Sequence, residues 1–375
     1  MGGSKSVLLL IVGLIIGLVV GGIVGMQYLG QEETAEKTAM APAPESEASA
    51  PAGPSVRWKM ASWFSSSLTQ LGTMGKEMTE RLERVSGGNI RIQFFEPNAL
   101  IPAKECFDAV AAGSVDACWS TPGYWYGKEP AMALFSAVPF GPSAGEYMGW
   151  IFYGGGLELW DETYAKHGLK SIPCGVIAPE ASGWFREEIT SIDDLKGLKM
   201  RFFGLGAKVM EKIGVSTQLI AGGDIFPALE RGSIDATEFS MPAIDLNLGF
   251  YQVAKHYYFP GWHQQSTVFE LLLNRANWDA LSDTQQAQIE VACGDAFRQG
   301  LAEGEAIQAK ALLELKEKGV QIHRWPQEFL DTLEAAWNEV AAEDAARDAQ
   351  FAKVWESYSN FRKDYVVWKE LGYVN

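Results

Sequence analysis

A stretch near the middle of the chain, from Lys196 to Asp245, alternates short apolar runs with short helical patterns. The run LKMRFF contains Arg201 and predicts a strand, and the following AKVMEKIG predicts a helix. A second helix is predicted over IFPALERG, with Asp224 as its N-cap, and SIDATEF predicts a strand that ends with Glu238. Strands that alternate with helices at this short spacing are typical of an α/β sheet.

The ends of these two strands are the predicted ligand site, because open α/β sheets bind ligands outside the carboxyl ends of their strands. Arg201 and Glu238 lie at such ends, one cationic and the other anionic. Each also has an ordinary interpretation, Arg201 as a salt-bridge partner and Glu238 as a surface residue. The formal net charge of −16 argues against a nucleic-acid partner. An acidic chain that binds an anion needs a local positive group, which favours Arg201 as a ligand contact.

The same stretch resembles the central motif of the solute-binding proteins of tripartite ATP-independent periplasmic (TRAP) transporters. The segments WKMASWF, AVPFGPSAGEYMGWIFYGGG, SGWFREEI and FYQVAKHYYFPGWH are also similar to this family, specifically to its branch for 2-oxo acids and aromatic carboxylates. The resemblance extends from Val56 to Val367. It implies an α/β periplasmic-binding-protein-like fold with two lobes around a cleft. It also implies a binding protein rather than an enzyme, one that delivers a 2-oxo acid, hydroxy acid or aromatic acid to TRAP permease subunits in the inner membrane.

The domain organisation follows from length and from one long helix. A length of 375 residues favours two lobes. A capping box over Ser282–Gln285 opens a helix that is predicted to run to about Gly319 and to span both lobes. Related proteins exchange a C-terminal helix in a dimer, which implies a homodimer here. The predicted boundaries place lobe I at residues 56–178 and 266–306, lobe II at 179–265 and 307–358, and a C-terminal dimer segment at 359–375.

The N-terminal residues 6–31 contain no charged side chain. This apolar run exceeds the 7–15 residues of a signal-peptide core and suits a membrane helix of about 20 residues. Because Lys5 precedes the run and Glu32 follows it, the N-terminus should face the cytoplasm. We therefore predict a transmembrane signal-anchor at residues 1–30, a disordered linker at 31–55 and a periplasmic domain tethered to the inner membrane. Cleavage within the linker, which would release the domain into the periplasm, is the alternative.

The resemblance also implies roles for individual residues. Arg201 would bind the substrate carboxylate, and Glu238 and Phe239 would line the cleft. The aromatic residue after the first strand and the tyrosine after the third strand face the ligand in this family, and by motif these are Phe64 and Tyr124. The rest of the predicted pocket consists of Trp184, Trp262 and His263, the last of which has a purely structural role as its alternative.

A bound cation is predicted beside the substrate. The 2-oxo-acid binders of the family carry an Asn-Thr-Gly-Val-Gln run whose Gln helps to hold a metal ion. Here the matching run is VIAPE, in which Val176 replaces the Asn and Glu180 replaces the Gln. Glu180, Glu238 and the backbone of Phe239 are therefore predicted to bind a calcium or sodium ion. The alternatives are that Glu180 hydrogen-bonds a substrate hydroxyl group or pairs with an arginine such as Arg186.

The cysteines and two further function classes complete the sequence-based expectations. The pairing of the four cysteines is left open by their spacing, although their number fits an oxidising compartment. A membrane-tethered sensory domain is one alternative function. An enzyme that uses Glu180 and Glu238 as an acid–base pair is another. The cysteines are Cys106, Cys118, Cys174 and Cys293.

Overall fold

The computed structural model describes residues 53–374. The predicted signal-anchor at residues 1–30 and most of the predicted linker at 31–55 lie outside the described residues. Among the described residues, no helix combines the length and the apolar character that a membrane crossing requires.

Five strands form the first sheet, in the order β2-β1-β3-β10-β4. Strand β1 pairs in parallel with β2 and β3, as expected for strands connected by helices, whereas β10 is antiparallel to both β3 and β4. The late strand β10 therefore returns from a distant part of the chain to complete this sheet. The strands are β1 (Val56–Ser62), β2 (Ile90–Phe94), β3 (Ala117–Ser120), β4 (Leu169–Ile177) and β10 (Thr267–Asn274).

Six short strands form the second sheet, in the order β11-β9-β5-β8-β6-β7. Strand β6 is parallel to both β7 and β8, and β5 is antiparallel to β8 and β9. Each sheet has its own buried side chains, so the chain has the two-lobed α/β architecture that the sequence predicts. The strands are β5 (Gly183–Phe185), β6 (Lys199–Arg201), β7 (Ser216–Gln218), β8 (Ala236–Thr237), β9 (His256–Phe259) and β11 (Gln321–Arg324).

The α-helices cover and connect the two sheets. The longest of them, α9, carries the predicted capping box at Ser282 and Gln285. It packs against α1 and β4 beside the first sheet and against α7 beside the second, so it bridges the two lobes. The helices are α1 (Thr73–Val85), α2 (Cys106–Ala111), α3 (Ala144–Tyr153), α4 (Gly156–Ala165), α5 (Gly204–Lys212), α6 (Gly222–Glu230), α7 (Pro242–Leu248), α8 (Arg275–Asp279), α9 (Asp283–Glu317), α10 (Gln327–Arg347) and α11 (Ala349–Gly372).

One helix start differs from the sequence prediction. Helix α6 begins at Gly222 with Ala221 as its N-cap, so Asp224 is not the cap that the sequence suggested. Asp224 lies instead in the first turn, where a carboxylate is also stabilised by the partial positive charge of the helix N-terminus. Acidic residues are favoured both at the N-cap and in the first turn of a helix, so the sequence pattern does not distinguish these two positions. The prediction that Asp224 is the N-cap was therefore wrong.

Two disulfides use all four cysteines. Cys106–Cys118 joins the start of α2 to β3, within the first sheet and its covering helix. Cys174–Cys293 joins β4 to the bridging helix α9 across 119 residues of sequence. The structure thus provides the pairing that spacing along the sequence left open.

The chain also passes between the sheets at two crossover segments, residues 178–182 after β4 and residues 260–266 before β10. The two crossovers are hydrogen-bonded to each other. The backbone nitrogen of Glu180 donates to the carbonyl oxygen of Gln264 at 3.1 Å, and that of Gly261 donates to the carbonyl oxygen of Glu180 at 3.0 Å. This pairing holds Glu180 beside the residues of the second crossover.

Candidate ligand and cation site

A cavity of about 20 Å³ lies between the two sheets, beside the paired crossovers. A volume of roughly 10–15 Å³ accommodates one water molecule, so in this conformation the space has room for about one water molecule. Phe64 also lines a larger cavity of about 510 Å³ between the loops of the two lobes. The residues that line the smaller cavity are Phe64, Leu71, Thr121, Tyr124, Glu180, Arg201, Phe203, Phe239, Ser240, Gln264, Thr267 and Phe269.

Arg201 and Glu238 meet at one edge of the second sheet. Arg201 ends β6 and Glu238 follows β8, and these parallel strands pair so that Arg201 lies opposite Thr237. Nη1 of Arg201 donates to Oε2 of Glu238 at 2.7 Å and to the carbonyl oxygen of Glu238 at 2.8 Å. Nε of Arg201 donates to the carbonyl oxygen of Ile220 at 3.2 Å. Both side chains are buried, so this ion pair fixes the guanidinium in one orientation at the cavity wall.

This pairing gives Arg201 the salt-bridge role that was its ordinary interpretation. The sequence-based prediction assigned Arg201 to the ligand and both carboxylates, Glu180 and Glu238, to a cation. In the structure, Glu238 is neutralised by Arg201 and also accepts a hydrogen bond from the backbone nitrogen of Phe203 at 3.1 Å. The carboxylate without such a close cation is Glu180.

Glu180 is buried at the crossover, and its contacts with Ser240 and His263 are long. Its Oε1 accepts a hydrogen bond from the hydroxyl group of Ser240 at 3.3 Å, and its Oε2 lies 3.9 Å from Nε2 of His263. Burial raises the pKa of Glu180 well above its usual range, and the negative charges of Glu238 and Asp245 raise this pKa further. A buried carboxylate in this position is most stable when it is neutralised, either by taking up a proton or by binding a cation.

Asp245 is a third buried carboxylate in the same region. Its Oδ2 accepts hydrogen bonds from Nε1 of Trp184 and from the hydroxyl group of Tyr257, both at 2.9 Å. Burial raises the pKa of Asp245 to about 7. Asp245 therefore adds to the negative potential at Glu180 and has a fixed structural environment of its own.

Glu180, Glu238 and His263 together form a candidate cation site. Each of them offers one ligand atom, and these atoms all lie within 4.8 Å of one another. The Gln264 amide fills the centre of this group when its nitrogen faces inward. It then donates to Oε2 of Glu180 at 2.9 Å and to Oε1 of Glu238 at 3.0 Å, while its oxygen accepts from the hydroxyl group of Thr267 at 2.7 Å. The amide nitrogen thus supplies hydrogen-bond donors to the same two carboxylates that a cation would neutralise.

The predicted pocket residues fall into two groups. Phe64, Tyr124, Glu180, Arg201 and Phe239 line the cavity, and the guanidinium of Arg201 lies 5.1 Å from the ring centre of Phe239. Glu238 and His263 lie behind this wall and contact its polar members. Trp184 and Trp262 are not among the described residues that line the cavity, and both pack in the layer behind it.

The two tryptophans are placed by contacts that the sequence does not reveal. Trp184 stacks on Tyr257 with ring centres 3.8 Å apart and donates its indole N–H to Asp245. Trp262 stacks on Phe140 with ring centres 5.7 Å apart. Each indole therefore supports the polar residues of the site from outside the cavity.

Sequence reasoning missed the site role of Gln264 and of Ser240. Gln264 directly follows His263 in the predicted return to the first lobe, and this position was the available signal. Ser240 directly follows Phe239, and its hydroxyl group contacts Glu180. Neither side chain belongs to a charged or aromatic class, so composition alone gave no reason to single them out.

Comparison with known proteins identifies the family of this chain. The sequence matches the family described as "Bacterial extracellular solute-binding protein, family 7" (DctP) over residues 60–348. A monocarboxylate 2-oxoacid-binding periplasmic protein of Nostoc sp. is 36% identical over 327 residues, which is 86% of this chain and 89% of the relative.

Two solved structures are also similar. One is a TRAP transporter solute-binding protein from Bordetella bronchiseptica, with copurified calcium and picolinate bound in its active site. It is 34% identical to this chain, and the match has a TM-score of 0.83 and covers 85% of this chain and 95% of that chain. A TRAP periplasmic solute-binding protein from Pseudoalteromonas atlantica, with bound sodium and pyruvate, is 33% identical, with a TM-score of 0.80 over 84% and 96% of the two chains. Together with the family match, these relatives show that the chain belongs to the DctP family of TRAP transporter solute-binding proteins.

Proposed function

We propose that this protein captures a small monocarboxylate, foremost a 2-oxo acid, together with a cation, and delivers it to a TRAP permease. Proteins of this family are extracytoplasmic binding proteins for transport. The observation that carries the proposal is Arg201, a buried arginine that is fixed by Glu238 and lines a very small cavity between two lobes. The 2-oxoacid-binding relative from Nostoc supports the ligand class.

Arg201 is suited to bind the carboxylate group of the ligand. Nη1 and Nε of Arg201 already donate to Glu238 and Ile220, so Nη2 is the guanidinium nitrogen that would donate to the ligand carboxylate in a charge-assisted hydrogen bond. Because its Nη1 and Nε are held by Glu238 and by the carbonyl oxygen of Ile220, little side-chain entropy remains to be lost on binding. Tyr124 and Phe64 provide the apolar walls on the side of the first sheet.

We place aliphatic 2-oxo acids ahead of aromatic acids as ligands because the bulky side chain of Phe64 lies beside Arg201. Phe64 lines both the space of about 20 Å³ next to Arg201 and the larger neighbouring cavity. An aromatic acid would have to displace Phe64 toward that larger cavity. Entry of any ligand requires the lobes to separate, which fits hinge closure around a ligand.

The residues present fit a calcium or sodium ion. Within residues 53–374, the basic side chain nearest to the Glu180 carboxylate is His263 at 3.9 Å, and the ligand atoms of the two carboxylates are oxygen, which hard cations prefer. Glu180, Glu238 and the backbone of Phe239 would hold the ion, with His263 beside them and with the oxygen of the Gln264 amide, rather than its nitrogen, turned inward. The ion would supply positive charge that a ligand oxygen can share. Glu180 would then give up its proton to solvent when the ion binds.

Calorimetric titration with pyruvate tests this function. We expect binding to the full chain in calcium-containing buffer, a loss of at least tenfold in affinity after chelation and removal of sodium, and recovery when calcium is restored. Titration with picolinate under the same conditions should give weaker binding, and Phe64→Ala should reduce that difference. Pyruvate binding that is unchanged by chelation and by sodium removal would contradict the proposed cation. Absence of binding by any small monocarboxylate would contradict the proposed function.

Two finer assignments belong to the same proposal. We infer that the N-terminal apolar run tethers the domain to the inner membrane, and that the C-terminal segment contributes to a homodimer. The first rests on the length and flanking charges of residues 6–31. The second is supported by the apolar side chains exposed at the end of α11. Membrane fractionation of the native protein tests the tether, and a soluble mature form that begins within residues 39–51 would contradict it.

A further inference from the structure

Two of the four histidines of the chain lie side by side on the second sheet, on strands β9 and β11. These strands pair in parallel, with His256 opposite Gln321 and His323 opposite Tyr258. Since side chains alternate between the two faces of a sheet, His256 and His323 share one face and are diagonal neighbours. Strand β11 is the edge strand of this sheet. The pair is separate from Glu180, Glu238 and His263 of the cleft.

The two imidazole rings converge through their nitrogen atoms. Nδ1 of His256 lies 3.1 Å from Nε2 of His323, and the rings are inclined by 24° with their centres 5.2 Å apart. The ring of Tyr258 stacks on His323 at 4.5 Å and restricts its rotation. Both histidines are partly exposed, so solvent ions reach them.

A carboxylate flanks the other nitrogen of His323. Oε1 of Glu188 lies 3.8 Å from Nδ1 of His323. This distance is longer than a hydrogen bond, and the negative charge of the carboxylate favours, through electrostatic attraction, the tautomer that carries its proton on Nδ1, which leaves the lone pair of Nε2 directed toward His256. Metal-binding histidines in proteins commonly have such a carboxylate behind the ring, where it fixes the tautomer and increases the basicity of the ligating nitrogen.

We propose that Nδ1 of His256 and Nε2 of His323 bind a divalent transition metal ion of the zinc, nickel or copper class. With metal–nitrogen bonds of about 2.0–2.1 Å, two nitrogens 3.1 Å apart subtend an angle of roughly 100° at the metal, between the square and tetrahedral values. Imidazole nitrogen suits these ions, whereas calcium and magnesium take oxygen ligands. Water completes the coordination because the pair is partly exposed.

Metal binding changes one proton position. In the metal-free pair, one ring donates its N–H to the other, and with His323 protonated on Nδ1 the donor is Nδ1 of His256. A bound metal would replace this shared proton, both rings would turn so that their lone pairs meet at the metal instead of pointing along the N–N line, and the proton of His256 would move to Nε2 through exchange with solvent. Each imidazole stays neutral, and no redox partner is involved.

The metal would link two segments that lead to functional parts of the fold. Strand β9 continues directly into the crossover at residues 260–266, and β11 follows the bridging helix α9. A bond between β9 and β11 therefore stabilises the second lobe next to a crossover. The proposal is independent of the ligand in the cleft, since none of its residues lines that cavity.

Zinc titration of the untagged full chain tests this site. Saturating calcium and pyruvate are kept present, so that the cleft residues are occupied. We expect one zinc ion per chain with micromolar affinity, and an increase in the melting temperature that follows zinc concentration by mass action. His256→Gln and His323→Gln should each weaken zinc binding by more than tenfold. Glu188→Gln should weaken it by about tenfold, because the carboxylate acts through His323.

His167→Gln is the matched control, because His167 lies in the first lobe near Glu129 and outside the pair. This variant should bind zinc like the unchanged chain. A second readout uses Cu²⁺ in place of zinc, with two nitrogen couplings expected in the electron paramagnetic resonance spectrum and one in either single variant. Zinc binding that survives unchanged in both His256→Gln and His323→Gln would overturn the proposal, as would failure of the unchanged chain to bind zinc below millimolar concentration.

Discussion

At the scale of single residues, Arg201 combines a structural role with its proposed binding role. Its ion pair with Glu238 is buried on both sides, and removal of one partner from such a pair leaves an uncompensated charge in the interior. The cost is about 3–5 kcal/mol of unfolding free energy. A binding experiment on a truncated side chain would therefore mix loss of contact with loss of structure.

Arg201→Lys separates these effects, because lysine keeps the positive charge but loses the planar set of donors. We expect pyruvate affinity to fall by at least tenfold in calorimetry, with near-wild-type secondary structure by circular dichroism. Arg231→Lys, at an exposed arginine, is the control and should leave affinity unchanged. Binding by Arg201→Lys within threefold of wild type would show that Arg201 is structural only.

Glu180 predicts an unusual dependence of stability on pH. Burial and the charge of Glu238 raise its folded-state pKa, so the folded protein holds a proton that the unfolded chain releases. This contribution to stability is complete below the unfolded pKa of about 4.3 and is lost as the pH rises toward the folded value. Urea unfolding of wild type and Glu180→Gln in the presence of a chelator therefore measures this contribution. The unfolding free energy of wild type should fall relative to that of Glu180→Gln between pH 5 and pH 8.

Calcium should reverse that loss at pH 8 in wild type, because the ion replaces the proton as the counter-charge of Glu180. Glu187→Gln, at an exposed neighbour, should follow wild type throughout. If wild type and Glu180→Gln show the same pH dependence in chelator, Glu180 is not the titrating group.

At the scale of elements, the bridging helix α9 depends on a close approach to the first sheet. A Cβ atom at Gly300 would lie 2.3 Å from the carbonyl oxygen of Val176 in β4 and 2.8 Å from the sulfur of Met74. The carbonyl oxygen of Gly300 also accepts a hydrogen bond from Nε2 of Gln70 at 2.7 Å. Glycine is thus required at this position by packing, against its low helix propensity.

Two glycines of the same helix give a matched pair of variants. At Gly294, a Cβ atom would have no heavy atom of the described residues within 4 Å beyond its own helix backbone and chain neighbours. Gly294→Ala should therefore raise the unfolding free energy by about 0.5–1 kcal/mol, because alanine has the higher helix propensity. Gly300→Ala should lower it by roughly 1–3 kcal/mol, because α9 must move away from β4. Chemical denaturation measures both. A gain in stability for Gly300→Ala would mean that α9 does not pack on β4 this closely.

At the scale of the whole molecule, the end of α11 exposes a group of large apolar side chains. Their exposure is high, at 62% for Val367, 58% for Trp368 and 83% for Leu371. Neighbouring apolar side chains that stay exposed on one helix end often mark a protein–protein contact. We therefore expect this segment to be covered by a second copy of the chain.

Light scattering coupled to size-exclusion chromatography should give the mass of a dimer for wild type. Trp368→Glu combined with Leu371→Glu should shift the mass toward a monomer, because both changes place charges in the proposed contact. Val291→Glu, at an equally exposed apolar residue of α9, is the control and should leave the mass unchanged. A monomeric wild type at micromolar concentration would contradict the dimer.

The sequence by itself determined the features that depend on neighbouring residues. Short apolar runs between helical patterns predicted an α/β fold, and the capping box at Ser282 and Gln285 marked the start of α9. Arg201 and Glu238 could be placed near strand ends because strand limits follow from local patterns. Resemblance to the solute-binding family then supplied the two lobes and the expectation of a carboxylate site.

Only the tertiary structure decided which of these residues meet. The Arg201–Glu238 ion pair depends on the register of β6 against β8, and the position of Glu180 beside Gln264 depends on hydrogen bonds between two crossovers far apart in sequence. The Cys174–Cys293 disulfide and the His256–His323 pair likewise join distant segments. Periodicity and capping report the conformation of a short segment, whereas these contacts are set by packing of elements that the sequence does not order in space.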